Sequence, residues 1–404
     1  MEPCDVVLAF LWHAGSRLSS GERVSLSFAA PDIGDDEIAE VVECLRSGWI
    51  TTGPRTASFE RAFAEFVGAE AALGVNSGTG AMLCALKALN VRPGDAVVVP
   101  TMTFSSAAHT VEHVGANPVF VDCEPETLNP DPVLVEKAVQ ASGATCIIPV
   151  HLYGQPCDAR LFELGTSVVD DAAHALPART GDRLVGGSGR ADVLTAFSFY
   201  ATKNLTTGEG GMLTGPRELI DAARTWSLHG MTADAHLRYE SGGAWRYDVT
   251  QAGFKCNMSD IQAALGLVQL RRLPQMHARR RQIAGRYSAA FRTIPAIHIP
   301  VQCAGTEHAW HIYSVRLHLD RLSIDRDRFI HELTQRNIGT SVHFIPIHQL
   351  TYYRETYKLE PGDFPVATRE FERLVSLPIH SRMNDSDVDD VIDAVTDVCA
   401  RHRR

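Results

Sequence analysis

The chain has 404 residues, of which 45% are hydrophobic and 21% charged, enough apolar material for a large buried core and too much for a disordered chain. A net charge of −10 argues against a general nucleic-acid binder, and no stretch approaches the ~18 apolar residues of a membrane span. The nine cysteines include no Cys-x-x-Cys pair, and the apolar run at 6–12 is short and follows Glu2 and Asp5, so reduced thiols and a cytoplasmic location are expected.

Residues 1–24 match no clear element and read as an N-terminal extension. Asp35 and Asp36 then precede a helical pattern with Ile38, Val41, Val42 and Leu45 on one face, stopped by Gly48. A second helix carries Phe59, Phe63 and Phe66. Short apolar runs follow at 72–75, 96–99, 118–121, 145–150, 167–170 and 192–199, alternating with helical stretches. They are too uniformly apolar for half-exposed strands, so the expectation is an α/β fold with a mostly parallel sheet sandwiched by helices. The run GGSGR at 186–190 reads as a loop between strands. Near residue 275 the rhythm changes. An arginine-rich helix at 277–291, an alternating strand at 311–317, a helix, a strand at 340–345 and two closing helices predict a smaller C-terminal α+β domain. The expected division is a large domain over 25–274 and a small one over 275–404.

Three stretches carry chemistry. Asn76-Ser77-Gly78-Thr79-Gly80 joins a strand to a helix, where backbone N–H groups and the helix dipole favour a phosphate; alone, it is equally an ordinary capped turn. Asp170 and Asp171 end an apolar strand, where open α/β sheets bind ligands and a carboxylate can hold a cationic ring nitrogen; alone, such a residue is more often a helix cap. Lys203 follows the strand FSFY and is one of five lysines, against 33 arginines. A desolvated lysine amine forms Schiff bases, whereas a lone lysine more often reaches out to solvent. Taken in this order on one sheet, the three match what pyridoxal phosphate (PLP) requires: a lysine for its aldehyde, an acid for its ring nitrogen and anchors for its phosphate.

The wording of these blocks resembles the DegT family of PLP-dependent sugar aminotransferases, of fold type I, from about Phe28 to the C-terminus. The matching blocks include SGWITTGP (47–54), NSGTGA (76–81), VVVPTMTF (97–104), PVHLYGQP (149–156), VVDDAAHA (168–175) and GFKCNMSDIQAALGLVQL (253–270). The wording around Lys203 and Asn257 is most similar to the branch making UDP-4-amino-4-deoxy-L-arabinose. The resemblance implies that Lys203 bonds the cofactor aldehyde and moves the substrate proton, and that Asp171 contacts the ring nitrogen. Gly78, Thr79 and Ser198 would bind the phosphate, joined by Asn257 of a second subunit in a homodimer with shared sites. Phe104 would stack on the ring and His174 would lie beside its 3-oxygen. Thr51, Thr52, His343 and His348 would lie near the sugar nucleotide. The implied reaction carries an amino group from L-glutamate to a nucleoside-diphosphate keto sugar.

The same motifs serve keto-inositols, so an aminocyclitol aminotransferase is the nearest rival. PLP-dependent sugar dehydration, where histidine replaces the lysine, is opposed by Lys203. A regulatory protein on this fold is opposed by the presence of both Lys203 and Asp171. His109 and His113 have a zinc-compatible spacing without a third ligand nearby in sequence, so a structural pair is expected and no metal. His151, Tyr153 and Tyr200 suit the pocket or the core equally.

Overall fold

The computed structural model describes residues 26–231 and 247–404, so the expected extension at 1–24 lies outside the described residues. Five short strands come first: β1 (Ala71–Val75), β2 (Ala96–Pro100), β3 (Asn117–Val121), β4 (Cys146–Ile147) and β5 (Ser167–Asp171). A small hairpin, β6 (Arg179–Thr180) and β7 (Arg183–Leu184), precedes β8 (Val193–Ser198) and β9 (Gly211–Gly215). All but β6 and β7 join one seven-stranded sheet in the order β1-β9-β8-β5-β4-β2-β3. The pairs β2–β3, β2–β4, β4–β5 and β5–β8 are parallel, and β9 runs against both of its neighbours. The expected α/β fold with a mostly parallel sheet is therefore what the chain adopts, and it is that of fold type I. Strands such as β1, with all five residues buried, read as apolar runs because helices cover both faces.

One run shortens. The sequence suggested a strand over 145–150, but β4 is only Cys146–Ile147. Ile148 N–H still donates to Val98 O at 2.9 Å, and beyond Pro149, which has no N–H, the pairing with β5 continues only as an isolated bridge between Val150 and Asp171.

The aromatic content of FSFY packs this sheet. Phe197 and Phe199 point to one face, where Phe63 meets Phe197 edge-on at 5.0 Å and Phe59 meets Phe199 at 5.5 Å. Both partners come from the helix Pro54–Val67. Ser198, between them in sequence, faces the other side by strand alternation.

The helix expected at 277–291 is 32 residues long, Asp260–Phe291, and runs through Pro274. Proline removes one hydrogen bond there, yet packing on both sides carries the helix past it. Its start is capped twice over: Ser259 Oγ accepts from Gln262 N–H, while Gln262 Oε1 accepts from Ser259 N–H at 2.9 Å. The buried Asp260 carboxylate in turn accepts from the N–H groups of Arg55 and Thr56, closing the first turn of the helix Pro54–Val67.

A second core lies around β10 (Ile297–His298), β12 (Tyr313–Leu317) and β13 (Leu374–Leu377), and β11 (Thr306–Glu307) belongs to the small sheet with β6 and β7. Strand β12 lies between β10 and β13, antiparallel to both, while β11 pairs with β6. The alternation at 311–317 does not mark an exposed face: every β12 residue is buried, and Arg316 is held by Glu370 at 3.2 Å. Ile283, Tyr287 and Phe291 of the long helix pack on this sheet. The strand expected at 340–345 does not form. Only Ser341 pairs, with Ser376, and the chain then leaves the sheet to wall the cavity described next.

Candidate active site

The carboxyl ends of β1, β5 and β8, and the start of the antiparallel β9, share one edge of the sheet. A cavity of about 510 Å³ opens there. Its floor includes Ser77, Gly78 and Thr79 at the start of the helix Gly78–Ala88, Asp171 at the end of β5 and Ser198 at the end of β8. This is the crevice in which open α/β sheets bind ligands.

The helix start is shaped for an anion. Ser77 Oγ accepts from Gly80 N–H at 3.0 Å, leaving the Gly78 and Thr79 N–H groups, which a first helical turn cannot pair internally, facing the cavity floor. A Cβ on Gly78 would sit 3.0 Å from Ser198 Cβ, so glycine lets the helix start approach β8.

The segment after β8 folds back on its own backbone. Phe199 N–H donates to Gly210 O at 2.8 Å, Thr207 N–H to Phe199 O at 3.0 Å and Lys203 N–H to Tyr200 O at 2.9 Å. Gly208 takes φ +79°, a left-handed conformation that costs glycine little. This closed loop presents Lys203 to the cavity. Burial pulls its amine down to about 8, with the Asp171 carboxylate acting in the opposite direction. Asp171 is raised by burial, against the pull of the Ala173 N–H bond (3.0 Å) and of Lys203. A cationic ring nitrogen beside that carboxylate would favour its ionised form.

Behind Asp171, Asp170 faces away from the cavity. Its Oδ1 lies 2.7 Å from His151 Nε2, and its Oδ2 accepts from Thr195 Oγ at 3.2 Å. His151 is therefore a core residue, and Tyr153 is buried too, donating its hydroxyl proton to His343 O. Tyr200, by contrast, lines the cavity.

Three imidazoles form the far wall: His174, His311 and His343. Burial, then the nearby Lys203, pulls all three below the ordinary histidine range, His343 to about 3. His174 stacks on Phe344 at 5.7 Å, and Phe104 lies 5.8 Å from Phe344 at the mouth.

The cavity thus gathers Gly78, Thr79, Phe104, Asp171, His174, Ser198, Lys203 and His343 from the residues singled out in the sequence. It does not gather four others. His348 is fully buried elsewhere, its Nδ1 bonded to Thr101 Oγ at 2.8 Å and its Nε2 to Thr368 Oγ at 2.9 Å, with its ring on Phe364. With both nitrogens taken by protein hydroxyls, it does not face a substrate, and the expectation for it is corrected. Thr51, Thr52 and Asn257 sit together at the start of the long helix: Asn257 Nδ2 donates to Thr52 Oγ at 2.6 Å, and Asp260 N–H to Thr51 O at 3.0 Å. His109 packs on Tyr353 at 5.6 Å, and among the described residues no third ligand joins His109 and His113. The sequence reading missed His311, Asn204 and Phe344. His311 and Phe344 fall inside the strands expected at 311–317 and 340–345, and nothing in the sequence marks Asn204.

A flat ring bearing an aldehyde, a basic nitrogen and a phosphate fits these walls. The aldehyde would meet Lys203, the nitrogen Asp171, and the phosphate the N–H groups and hydroxyls of Gly78, Thr79 and Ser198. Residues 31–396 match the model of the DegT/DnrJ/EryC1/StrS aminotransferase family. The chain belongs to that family. It is similar to the spore coat polysaccharide biosynthesis protein SpsC of Bacillus subtilis (strain 168), 48% identical over 92% of this chain and 97% of that protein. The sugar aminotransferase Spr1654 of Streptococcus pneumoniae, solved in PMP and PLP forms, superposes with a TM-score of 0.86 at 36% identity for the PMP form, covering 93% of this chain and 99% of that one. DesV of S. venezuelae, in complex with a ketimine intermediate, gives 0.81 at 32% identity over 90% and 94%. This member of the DegT/DnrJ/EryC1/StrS family is a PLP-dependent aminotransferase that acts on sugars.

Proposed function

We propose that the enzyme moves an amino group from L-glutamate to a keto sugar carried on a nucleoside diphosphate, most readily at a 4-keto position, in making an amino sugar for a surface polysaccharide or an antibiotic. The observation that carries this reading is the cavity that joins Lys203, Asp171 and the Gly78–Thr79 helix start at one sheet edge. PLP, when bound, supplies an aldehyde that takes up the amine and a ring that accepts the electron pair left at the substrate Cα. Lys203, as free amine, takes the proton from Cα and returns it at the other end of the transfer. Asp171 holds a proton on the ring nitrogen by its negative charge. Gly78, Thr79 and Ser198 hold the phosphate and fix the ring in register. Phe104 would offer an apolar face to the flat ring, and His174, which lines the same cavity, would lie near it.

Asn257 and Thr52 lie outside the chain's own cavity, on a part-exposed surface, and the proposed role of Asn257 at the phosphate is one made across a homodimer from a second copy. Among the described residues no helix is long and apolar enough to cross a membrane, which is compatible with work in the cytoplasm on a soluble nucleotide sugar.

The test is an amination assay over a panel of nucleoside-diphosphate keto sugars and keto-inositols, with L-glutamate as donor and products read by mass. Amination of a nucleotide keto sugar in preference to keto-inositols is expected. Preference for a keto-inositol would replace the sugar reading, and turnover by Lys203→Ala at the parent rate would overturn the site.

A further inference from the structure

The wall of the cavity contains a polar device that the family reading does not use. Asn204, directly after Lys203, is buried, and its amide orientation is forced. Its Nδ2 donates to Leu176 O and to Ala309 O, both at 2.9 Å, so a flipped amide would set its oxygen against two carbonyl oxygens. Its Oδ1 must therefore be the atom 3.2 Å from His311 Nδ1, and an oxygen there accepts. His311 Nδ1 carries the proton, and Nε2 is left with its lone pair on the cavity side. The neighbouring His174 is fixed in the opposite sense. Tyr153 N–H donates to His174 Nδ1 at 3.2 Å, so His174 carries its proton on Nε2. The two rings, 4.6 Å apart, present one acceptor and one donor to the same space.

Protonation of His311 does not undo this arrangement. The groups facing it are Lys203, His174, Arg280 and His343, all of which disfavour a second positive charge, as does burial. Arg280 reaches the His311 carbonyl at 3.3 Å and not the ring. Phe344, Ile379 and Phe28 share this wall with His174 and His343, and among the described residues no hydrogen bond reaches His311 Nε2, so its lone pair is open to a donor that enters the cavity. A polyhydroxylated sugar supplies donors.

We propose that His311 is a specificity-determining residue that accepts a hydrogen bond from a hydroxyl of the keto sugar, and that Asn204 is the positioning residue that fixes its tautomer. This rests on the keto-sugar reading above. A site built around a hydroxyl discriminates strongly against the analogue that lacks it, because the buried acceptor is then left unpaired.

The test has two parts. In the holoenzyme with selectively 15N-labelled histidine, His311, assigned by its loss in His311→Gln, should show a pyrrole-type Nδ1 and a pyridine-type Nε2 across neutral pH. In half-reactions followed separately, His311→Phe should raise the KM for the keto sugar at least about tenfold more than the KM for L-glutamate. His311→Gln, whose amide oxygen can stand near the Nε2 position, should recover part of that loss. One monodeoxy keto sugar should lose at least about tenfold on the parent and nothing further on His311→Phe. A proton found on Nε2, or equal losses in both half-reactions, would overturn the assignment. If the parent aminates no keto sugar, the function reading falls and this role falls with it, whereas the tautomer measurement still reports on Asn204 alone.

Discussion

At the scale of single residues, the question is why a chain with five lysines places Lys203 at the end of an apolar strand. Solvent exposure would leave the amine at its ordinary pKa; burial lowers it, against the opposing charge of Asp171. With its pKa drawn down to about 8, Lys203 is largely the free amine from mildly alkaline pH upward. Because the shift is downward for a base, the reactive form is lost as pH falls through about 8 and is fully present above it. Uptake of PLP by the apoprotein, followed by its visible absorbance, should therefore rise through pH 8 and then level off; a rate still climbing toward pH ~10.4 would mean an unperturbed lysine. Asp171→Asn keeps the shape of the site and removes the charge, and should lower kcat by roughly 10²-fold or more while PLP still binds. Asp171 and Lys203 were legible only in combination with the Ser77-Gly78-Thr79 turn, because each alone reads as a helix cap or a solvated lysine; Asp171 ends β5, and Lys203 lies in the loop after β8. His311 was not legible, since its partner Asn204 is 107 positions away and only the fold joins them. His348 failed for the same reason in reverse: the hydroxyls of Thr101 and Thr368 that bury it come from remote segments.

At the scale of elements, the site depends on how closely a helix start can approach a strand end. Gly78→Ala places a methyl 3.0 Å from Ser198 Cβ, and one of the two must move. PLP affinity, measured by titrating the apoprotein, should fall about tenfold or more, with the melting temperature nearly unchanged. Asp260 tests a different joint. It caps one helix from the start of another through Arg55 and Thr56, so Asp260→Ala should cost about 2 kcal/mol in chemical denaturation. A change below about 0.5 kcal/mol would mean that this cap contributes little. Six strands of the main sheet were readable as apolar runs because both faces are covered, whereas their order, and the antiparallel β9 between β1 and β8, were not. Short or interrupted pieces were harder to read. A strand at 340–345 looked plausible, yet Ser341, His343 and Phe344 line the cavity and only Ser341 keeps a pairing partner. The long helix was underread at its start because Pro274 lies inside it, and local propensity gave way to packing.

At the scale of the whole molecule, the proposal joins two copies of the chain. Asn257 and Thr52 form a hydrogen-bonded pair outside the chain's own cavity, and the dimer reading brings Asn257 to the phosphate of the other copy. Mixing Lys203→Ala with Asn257→Ala protein after gentle dissociation and reassociation should restore activity that neither variant has alone. No restoration in verified mixed dimers would mean that each chain builds its site by itself. The central claim is more direct still: Lys203 and Asp171 hold PLP in the described cavity and pass an amine from L-glutamate to a nucleotide keto sugar. One spectroscopic cycle tests it. Purified protein loaded with PLP should show a visible absorbance that L-glutamate removes and that a nucleoside-diphosphate keto sugar, added after the donor is washed away, restores, with the amino sugar found by mass; Lys203→Ala should do neither. A visible band indifferent to L-glutamate, or a full cycle in Lys203→Ala, would contradict the account.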